Sequence, residues 1–319
     1  MTPSLYSTAV VGAGAVGSFF GAMLARAGHP VTLIGREAHV QAIERHGLRL
    51  QWADGREEAV RVAATTELAA VRGAALVLVC VKSADTEAVA RQIAPLLDPD
   101  ALVLSLQNGV DNVAALARHV RQPVVPAVVY VATSMPAPGV VRHAGRGDLV
   151  IGPADAAAAR DPVQQQRLQA VAALFAGAQV PVRVSPEVMA ELWLKLIVNC
   201  ACNAISAVAQ QPYGRLAAEP AIRELQRAVV REAVAVAQAE GQAVTPDAAL
   251  AAVDGILAAM PTQLSSTAQD LARGKPTEID HLNGYVVRRG AELGIAAPAN
   301  QALHALVRLM EAGRAPAAG

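Results

Sequence analysis

Apolar residues along this chain follow two different rhythms. In the first half, short apolar runs bounded by glycine alternate with segments of helical period; in the second half only the helical period remains. Tyr6 to Val11 (YSTAVV) predicts a buried strand, followed by glycines and by SFFGAMLARAG, a helix ending at Gly28. Val31 to Ile34 predicts the second strand, and Gly47–Trp52 with Ala59–Val62 a hairpin around Asp54-Gly55. Ala74–Val81 predicts a strand, Thr86–Leu97 a helix and Ala101–Leu106 another strand. Pro123–Thr133, Gly139–Ala144 and Asp148–Gly152 follow as strands, with turns at Met135–Pro138 and Gly145–Gly147. Their spacing leaves no room for crossover helices, so this sheet edge is expected to be antiparallel. Pro162–Ala176 predicts a helix and Val180–Val184 a short strand. Ser185-Pro186 marks the boundary after which strand patterns stop. Helices are then expected near Glu219–Glu240, Pro246–Ala259, Ser265–Gly274, Glu278–Leu293 and Asn300–Ala312.

Another helix breaks the usual division of polar and apolar faces. Glu191 to Ser206 reads ELWLKLIVNCACNAIS, and between its ends every residue is apolar or small except Lys195, Asn199 and Asn203. Steps of four residues keep side chains on one face of a helix. The lysine and the two amides therefore form one polar column on an otherwise apolar helix. Buried polar groups need partners, because each unpaired one costs about 1–3 kcal/mol. Either the protein or a polar ligand supplies them.

The first glycine run, Gly12-Ala13-Gly14-Ala15-Val16-Gly17, lies between a predicted strand and a helix, with a second strand after it. That is the setting in which G-x-G-x-x-G binds a dinucleotide pyrophosphate on backbone N–H groups at a helix N-terminus. The second strand ends at Ile34-Gly35-Arg36, where an NAD site carries an acid for the ribose 2′-hydroxyl. A guanidinium here suits a 2′-phosphate instead, which favours NADPH. Lys82 and Asn108 each stand just beyond the carboxyl end of a predicted parallel strand, the edge at which open α/β sheets bind ligands. Taken singly, they also fit a solvated lysine and an Asn-Gly turn. The fold class is thus α/β: a Rossmann-type dinucleotide-binding domain over residues 1–185, then an all-α domain over 186–319. A chain so divided is expected to hold its substrate in a cleft between the two. In the helical half, hydroxyls in PTQLSSTAQD from Pro261 suit helix capping. Glu278 and Asp280 after Thr277 fit a helix N-terminus as well as a carboxylate with chemistry to perform.

With 319 residues there is room for about two domains, and 53% hydrophobic with 17% charged residues describes a well-buried protein. Lys plus Arg and Asp plus Glu are equal at 27, without a basic cluster, so neither nucleic acid nor an anionic membrane is an expected partner. Cys80, Cys200 and Cys202 lie in apolar runs, which suits a reducing, cytoplasmic setting, and the seven histidines show no zinc-like spacing; no metal is expected. Thr8 to Ala25 carries no charge, yet no Lys or Arg precedes it, so it reads as strand and helix, not as a signal peptide or span.

Together these segments resemble ketopantoate reductase (2-dehydropantoate 2-reductase). The match rests on GAGAVG, VKSADT from Val81, QNGV from Gln107, WLKLIVNCACNAIS from Trp193, SSTAQD from Ser265 and TEIDHLNGYVVRRG from Thr277. The glycine loop is generic, while the Lys-Asn-Asn helix combined with the last two segments is specific. The resemblance implies NADPH-dependent reduction of a 2-keto acid on the way to pantothenate and coenzyme A. It implies that Lys195 is the catalytic lysine and Glu278 its acidic partner, with Asn199, Asn203 and Ser266 binding substrate. Lys82 and Asn108 would stand near nicotinamide and substrate, Arg36 at the 2′-phosphate, and the loop from Gly12 through Ala15 and Val16 to Gly17 at the pyrophosphate. One departure is Gln263, where asparagine is expected; it could lengthen that contact or suit a different keto acid. The alternatives are a reductase of the same fold acting on another keto acid, and an NADP(H)-binding sensor without turnover. Apolar helices such as Ala228–Ala239 face either their own core or a partner, which leaves a homodimer open.

Overall fold

β1 (Thr8–Val11) is buried along its whole length, as an apolar run without alternation requires in a sheet covered on both faces. The computed structural model describes residues 7–313, so Tyr6, where this strand was expected to start, lies outside the described residues. After β1 come α1 (Ala15–Arg26), β2 (Val31–Ile34), α2 (Glu37–His46), β3 (Leu48–Gln51), β4 (Glu57–Val60) and β5 (Ala63–Thr65). Then follow β6 (Leu76–Val79), α3 (Thr86–Ile93), β7 (Leu102–Ser105), α4 (Asn112–Ala117), β8 (Val124–Ala137) and β9 (Val140–Ile151). α5 (Ala156–Arg160), α6 (Pro162–Gly177) and β10 (Val182–Val184) complete the first of two units, which meet between Met189 and Ala190.

Strands β5-β2-β1-β6-β7-β8 are neighbours in that order and all parallel. This is the doubly wound order of a Rossmann-type dinucleotide-binding fold. Alternate residues of β1 serve opposite faces: Val10 packs with Phe20, Leu33 and Phe175, whereas Ala9 and Val11 pack with Ile93 and Leu116. The edge beyond β8 is mixed, which corrects the expectation of an antiparallel one. β8 pairs antiparallel with β9 and β3 with β4, but β9 takes β3 and β10 as parallel partners at its two ends. The expected turn at Gly145–Gly147 is absent as well. β9 runs through it with register shifts against β8, because Arg146 sits at φ +55° between two glycines that also take positive φ. Such a bulge bends a strand without ending it. The unpredicted β5 is a three-residue edge strand with an exposed or half-buried pattern, so it carries no apolar run to read.

The second unit is helical. It holds α7 (Val188–Ala209), whose first turn spans the boundary, then α8 (Tyr213–Ala218), α9 (Pro220–Ala239), α10 (Pro246–Ala259), α11 (Ser266–Ala272), α12 (Asn283–Leu293) and α13 (Pro298–Ala312). Among the described residues α7 is the one helix long and apolar enough to cross a membrane. Its apolarity has a local cause: Trp193, Leu196, Ile197 and Cys200 to Ile205 are buried, and 67% of its most apolar window lies inside protein. Glu278–Leu293 is not the single helix expected. A 3-10 turn (Ile279–His281) comes first, and Leu282 at φ −107°, ψ −107° breaks it from α12. Thr277 caps that turn, its Oγ1 accepting from the Ile279 N–H at 3.2 Å, while the Glu311 carboxylate accepts from the Thr277 N–H.

Candidate active site

The site begins at the carboxyl edge of the parallel sheet. Ile34 is registered with Val11, Val11 with Val79, and Val79 with Ser105. The residues after them therefore leave one edge together, and these loops carry the Gly12–Gly17 run, Arg36, Lys82 and Asn108. Gly12 adopts φ +98° and lies so close to the next loop that a Cβ would stand 2.6 Å from the Val81 nitrogen. Gly17 is equally constrained, since a Cβ would overlap the Gly12 carbonyl oxygen. Gly14 differs: it is exposed, and a Cβ there would meet nothing within 4 Å. α1 starts at Ala15 with no side-chain cap and no acid in its first turn. Tight packing below and open, uncapped N–H groups above fit a pyrophosphate. Arg36 is exposed just beyond the end of β2, as the N-cap residue of α2, with Glu37 following it in the first turn.

Below this loop lies a residue that the sequence did not flag. His39 is 5% exposed, its Nδ1 accepts the Gly139 N–H at 2.8 Å, and its Nε2 stands 3.0 Å from the Ser18 hydroxyl. Accepting at Nδ1 puts the ring proton on Nε2, so the native imidazole is neutral. Burial holds its pKa below the usual 6.5. The unfolded chain therefore takes up a proton near pH 6.5 that the native state refuses, and stability falls as pH drops below that value. The fall stops once pH passes the lower native pKa. Urea midpoints at pH 7.5 and 5.5 should differ more for the wild type than for His39→Gln; equal differences would remove His39 as the source.

Lys82 is exposed at the N-cap of a 3-10 turn (Ser83–Asp85), and Asn108 is half-buried before Gly109, whose φ is +94°. Their loops are joined by buried amides and hydroxyls, with the Asn112 Nδ2 and the Ser83 Oγ both donating to the Asn108 carbonyl, at 2.6 and 3.1 Å.

In the helical unit the polar column of α7 is graded. Lys195 and Asn199 are half-buried, together with Glu191, Leu194 and Val198, so this flank of the helix is open where the sequence predicted burial all round. Further along, Asn203 is 4% exposed and its Oδ1 accepts from the Tyr213 hydroxyl at 3.0 Å. Tyr213, another residue the sequence did not flag, is buried, and this desolvation pushes its hydroxyl pKa up, so it stays a neutral donor. Protein thus supplies one partner for Asn203. The Ser265 hydroxyl donates to the Asn203 carbonyl at 3.0 Å and accepts from the Ala268 N–H, which seats α11 beside that turn of α7. Ser266, the first residue of α11, is exposed next to it. The segment after Glu278 is tied to α7 twice: the Asn283 Nδ2 donates to the Cys200 carbonyl at 3.2 Å, and Tyr285 packs edge-on against Trp193. Glu278 itself is half-buried, immediately before the 3-10 turn. Its neighbour Asp280 is engaged by His304 at 2.6 Å and by Arg308 at 3.5 Å. Burial raises the Asp280 pKa, but the His304 hydrogen bond and the Arg308 charge outweigh it and hold the carboxyl below its usual range. Asp280 is thereby occupied within the protein.

The thiols are poor nucleophiles. Burial pushes Cys80 and Cys200 upward, and Cys202 up to about 12 despite the opposing pull of Arg223. Among the described residues no group of His, Cys, Asp or Glu could hold a metal ion.

A Rossmann-type unit with an open glycine loop, followed by a helical unit bearing a lysine–amide column, defines an oxidoreductase of the dinucleotide-dependent kind. The family models agree: "Ketopantoate reductase PanE/ApbA" matches residues 8–156 and "Ketopantoate reductase PanE/ApbA C terminal" residues 187–311. A 2-dehydropantoate 2-reductase of Halobacterium salinarum is 38% identical, covering 95% of this chain and 98% of its own. One from Vibrio cholerae is 34% identical over 95% and 97%. The crystal structure of a PanE/ApbA family ketopantoate reductase from Ralstonia eutropha JMP134 is 53% identical, with a TM-score of 0.89 over 97% of this chain and 99% of that one. The chain belongs to the ketopantoate reductase family.

Proposed function

We propose that this chain catalyses the NADPH-dependent reduction of 2-dehydropantoate to pantoate. The observation that carries this reading is the graded column on α7: Lys195 and Asn199 half-open on an otherwise apolar helix, in a chain of this family. NADPH, when bound, supplies the hydride to the keto carbon. The Gly12–Gly17 loop, with the first N–H groups of α1 at Ala15 and Val16, would hold its pyrophosphate, and Arg36 its 2′-phosphate. Negative charge developing on the keto oxygen is met by the Lys195 ammonium, which then gives its proton. Glu278 serves as the acidic partner at the nascent hydroxyl. Asn199, Asn203 and Ser266 would hold the substrate's carboxylate and hydroxyl, and Lys82 and Asn108 would flank nicotinamide and substrate, fixing the carbonyl for attack. Three cysteines left as thiols suit a cytoplasmic enzyme.

A second reading has one observation in its favour. Gln263, where asparagine is expected, is half-buried and folds its Nε2 onto the Leu264 carbonyl at 3.0 Å. A site walled this way could prefer another 2-keto acid. Loss of NADPH absorbance, followed with 2-dehydropantoate and a panel of other 2-keto acids, separates the readings. The expected result is turnover with 2-dehydropantoate, faster with NADPH than with NADH. Turnover only with another acid would transfer the assignment to that substrate. Tight nucleotide binding without turnover would make the chain a sensor.

A further inference from the structure

We propose that Gln107, Thr86 and Asn112 are positioning residues of this site, forming with Ser83 a buried clamp that sets the backbone carrying Lys82 and Asn108. The proposal rests on the reductase reading above and extends it to buried residues behind the loops that carry Lys82 and Asn108.

Sheet pairing cannot fix these loops. The β6–β7 ladder ends with Val79 opposite Ser105, and a last backbone bond runs from the Leu106 N–H to the Val79 carbonyl at 2.9 Å. Beyond it, side chains take over. The Gln107 Nε2 donates to the Val81 carbonyl at 3.0 Å and to the Thr86 Oγ1 at 2.7 Å. Thr86 passes its own proton to the Asn112 Oδ1 at 2.7 Å. The Asn112 Nδ2 then donates to the Ser83 Oγ at 3.1 Å and to the Asn108 carbonyl at 2.6 Å, and Ser83 donates to that same carbonyl. At the other end, the Ser105 hydroxyl donates to the Gln107 Oε1 at 3.1 Å.

This circuit has a single polarity. Both hydrogens of each amide and the proton of each hydroxyl have one assigned acceptor, so no member can rotate without leaving a buried donor unpaired. Water does not compete, since Ser83, Thr86, Gln107 and Asn112 are all 5% exposed or less. Its two backbone end points are informative. They are the carbonyl of Val81, one peptide before Lys82, and the carbonyl of Asn108 itself. A clamp that only joined two loops could be built from apolar side chains; this one orients the peptide groups from which the two site side chains spring. Displacements of about 1 Å at such a position can cost roughly a hundredfold in rate.

Thr86→Val tests this, because it keeps the shape and removes the node that both accepts from Gln107 and donates to Asn112. With 2-dehydropantoate and NADPH, Thr86→Val should lower kcat/KM by about ten- to a hundredfold, and Thr86→Ser should restore it. In an Asn108→Ala background the same Thr86→Val change should have a smaller effect, since one of the two side chains it positions is gone and only the Lys82 arm remains. Should Thr86→Val fail to fold, Ser83→Ala removes one of the two donors on the Asn108 carbonyl and is read in the same way. Unchanged turnover in a folded variant, no rescue by serine, or full additivity with Asn108→Ala would overturn the clamp and leave the reductase reading intact. A wild type inactive on every keto acid would overturn both.

Discussion

Replacing Lys195 with alanine should lower kcat by roughly 10²–10⁴-fold, the ordinary contribution of a positioned general acid. NADPH affinity should stay close to wild type, because the groups proposed to hold the nucleotide are the Gly12–Gly17 loop and Arg36, and Lys195 is proposed to act on the keto oxygen of the substrate. Its place on α7 makes the experiment clean. Lys195 lies on the half-buried flank with Asn199, while the fully buried flank is made by Trp193, Leu196, Ile197 and Cys200. Truncation on the open flank removes charge without cutting a cavity into the core, so the thermal midpoint should move little. Stopped-flow or steady-state absorbance at saturating substrate, with nucleotide binding measured separately, reads both quantities. A near-normal kcat, or a variant that does not fold, would sink the role of Lys195 as proton donor.

The second large effect separates folding from binding within one loop. Gly12→Ala places a Cβ at φ +98° and 2.6 Å from the Val81 nitrogen. Left-handed backbone costs about 1–2 kcal/mol for a residue with a Cβ, and overpacking typically adds about 1–3 kcal/mol. Against a total stability of roughly 5–15 kcal/mol, the unfolding midpoint should fall steeply. Gly14→Ala should leave that midpoint alone, since Gly14 has φ −79° and its Cβ would meet no protein atom within 4 Å. It should nevertheless weaken NADPH binding by at least tenfold, about 1.4 kcal/mol, because a pyrophosphate seated on this loop would meet that methyl. Titration of each variant with NADPH alongside urea unfolding tests the pair. Unimpaired NADPH binding by Gly14→Ala would mean that the pyrophosphate does not lie on this loop.

How far each feature could be read from sequence follows from where its information is stored. β1, β2, β6 and β7 were legible because strands buried on both faces must be continuously apolar. The glycine loop was legible because tight turns admit few residues. The Lys195–Asn199–Asn203 column was legible because helical geometry fixes which side chains share a face. Order among the strands, the parallel docking of β3 and β10 on β9, and the bulge at Arg146 were not, since each depends on partners far away in the chain. The break at Leu282 was hidden because an apolar residue there fits the helical period whether or not the backbone follows it.

Sequence alone therefore determined the two-part architecture, the glycine loop between β1 and α1 and the residue types of the polar column, all set by local periodicity and spacing. Tertiary structure decided how those groups are partnered. It gave Asn203 the Tyr213 hydroxyl, engaged Asp280 with His304 and Arg308, kept the Lys195 flank open, and closed the Gln107–Thr86–Asn112 circuit beneath Lys82 and Asn108. Burial and hydrogen-bond pairing are properties of residues brought together from distant segments, and no local pattern encodes them.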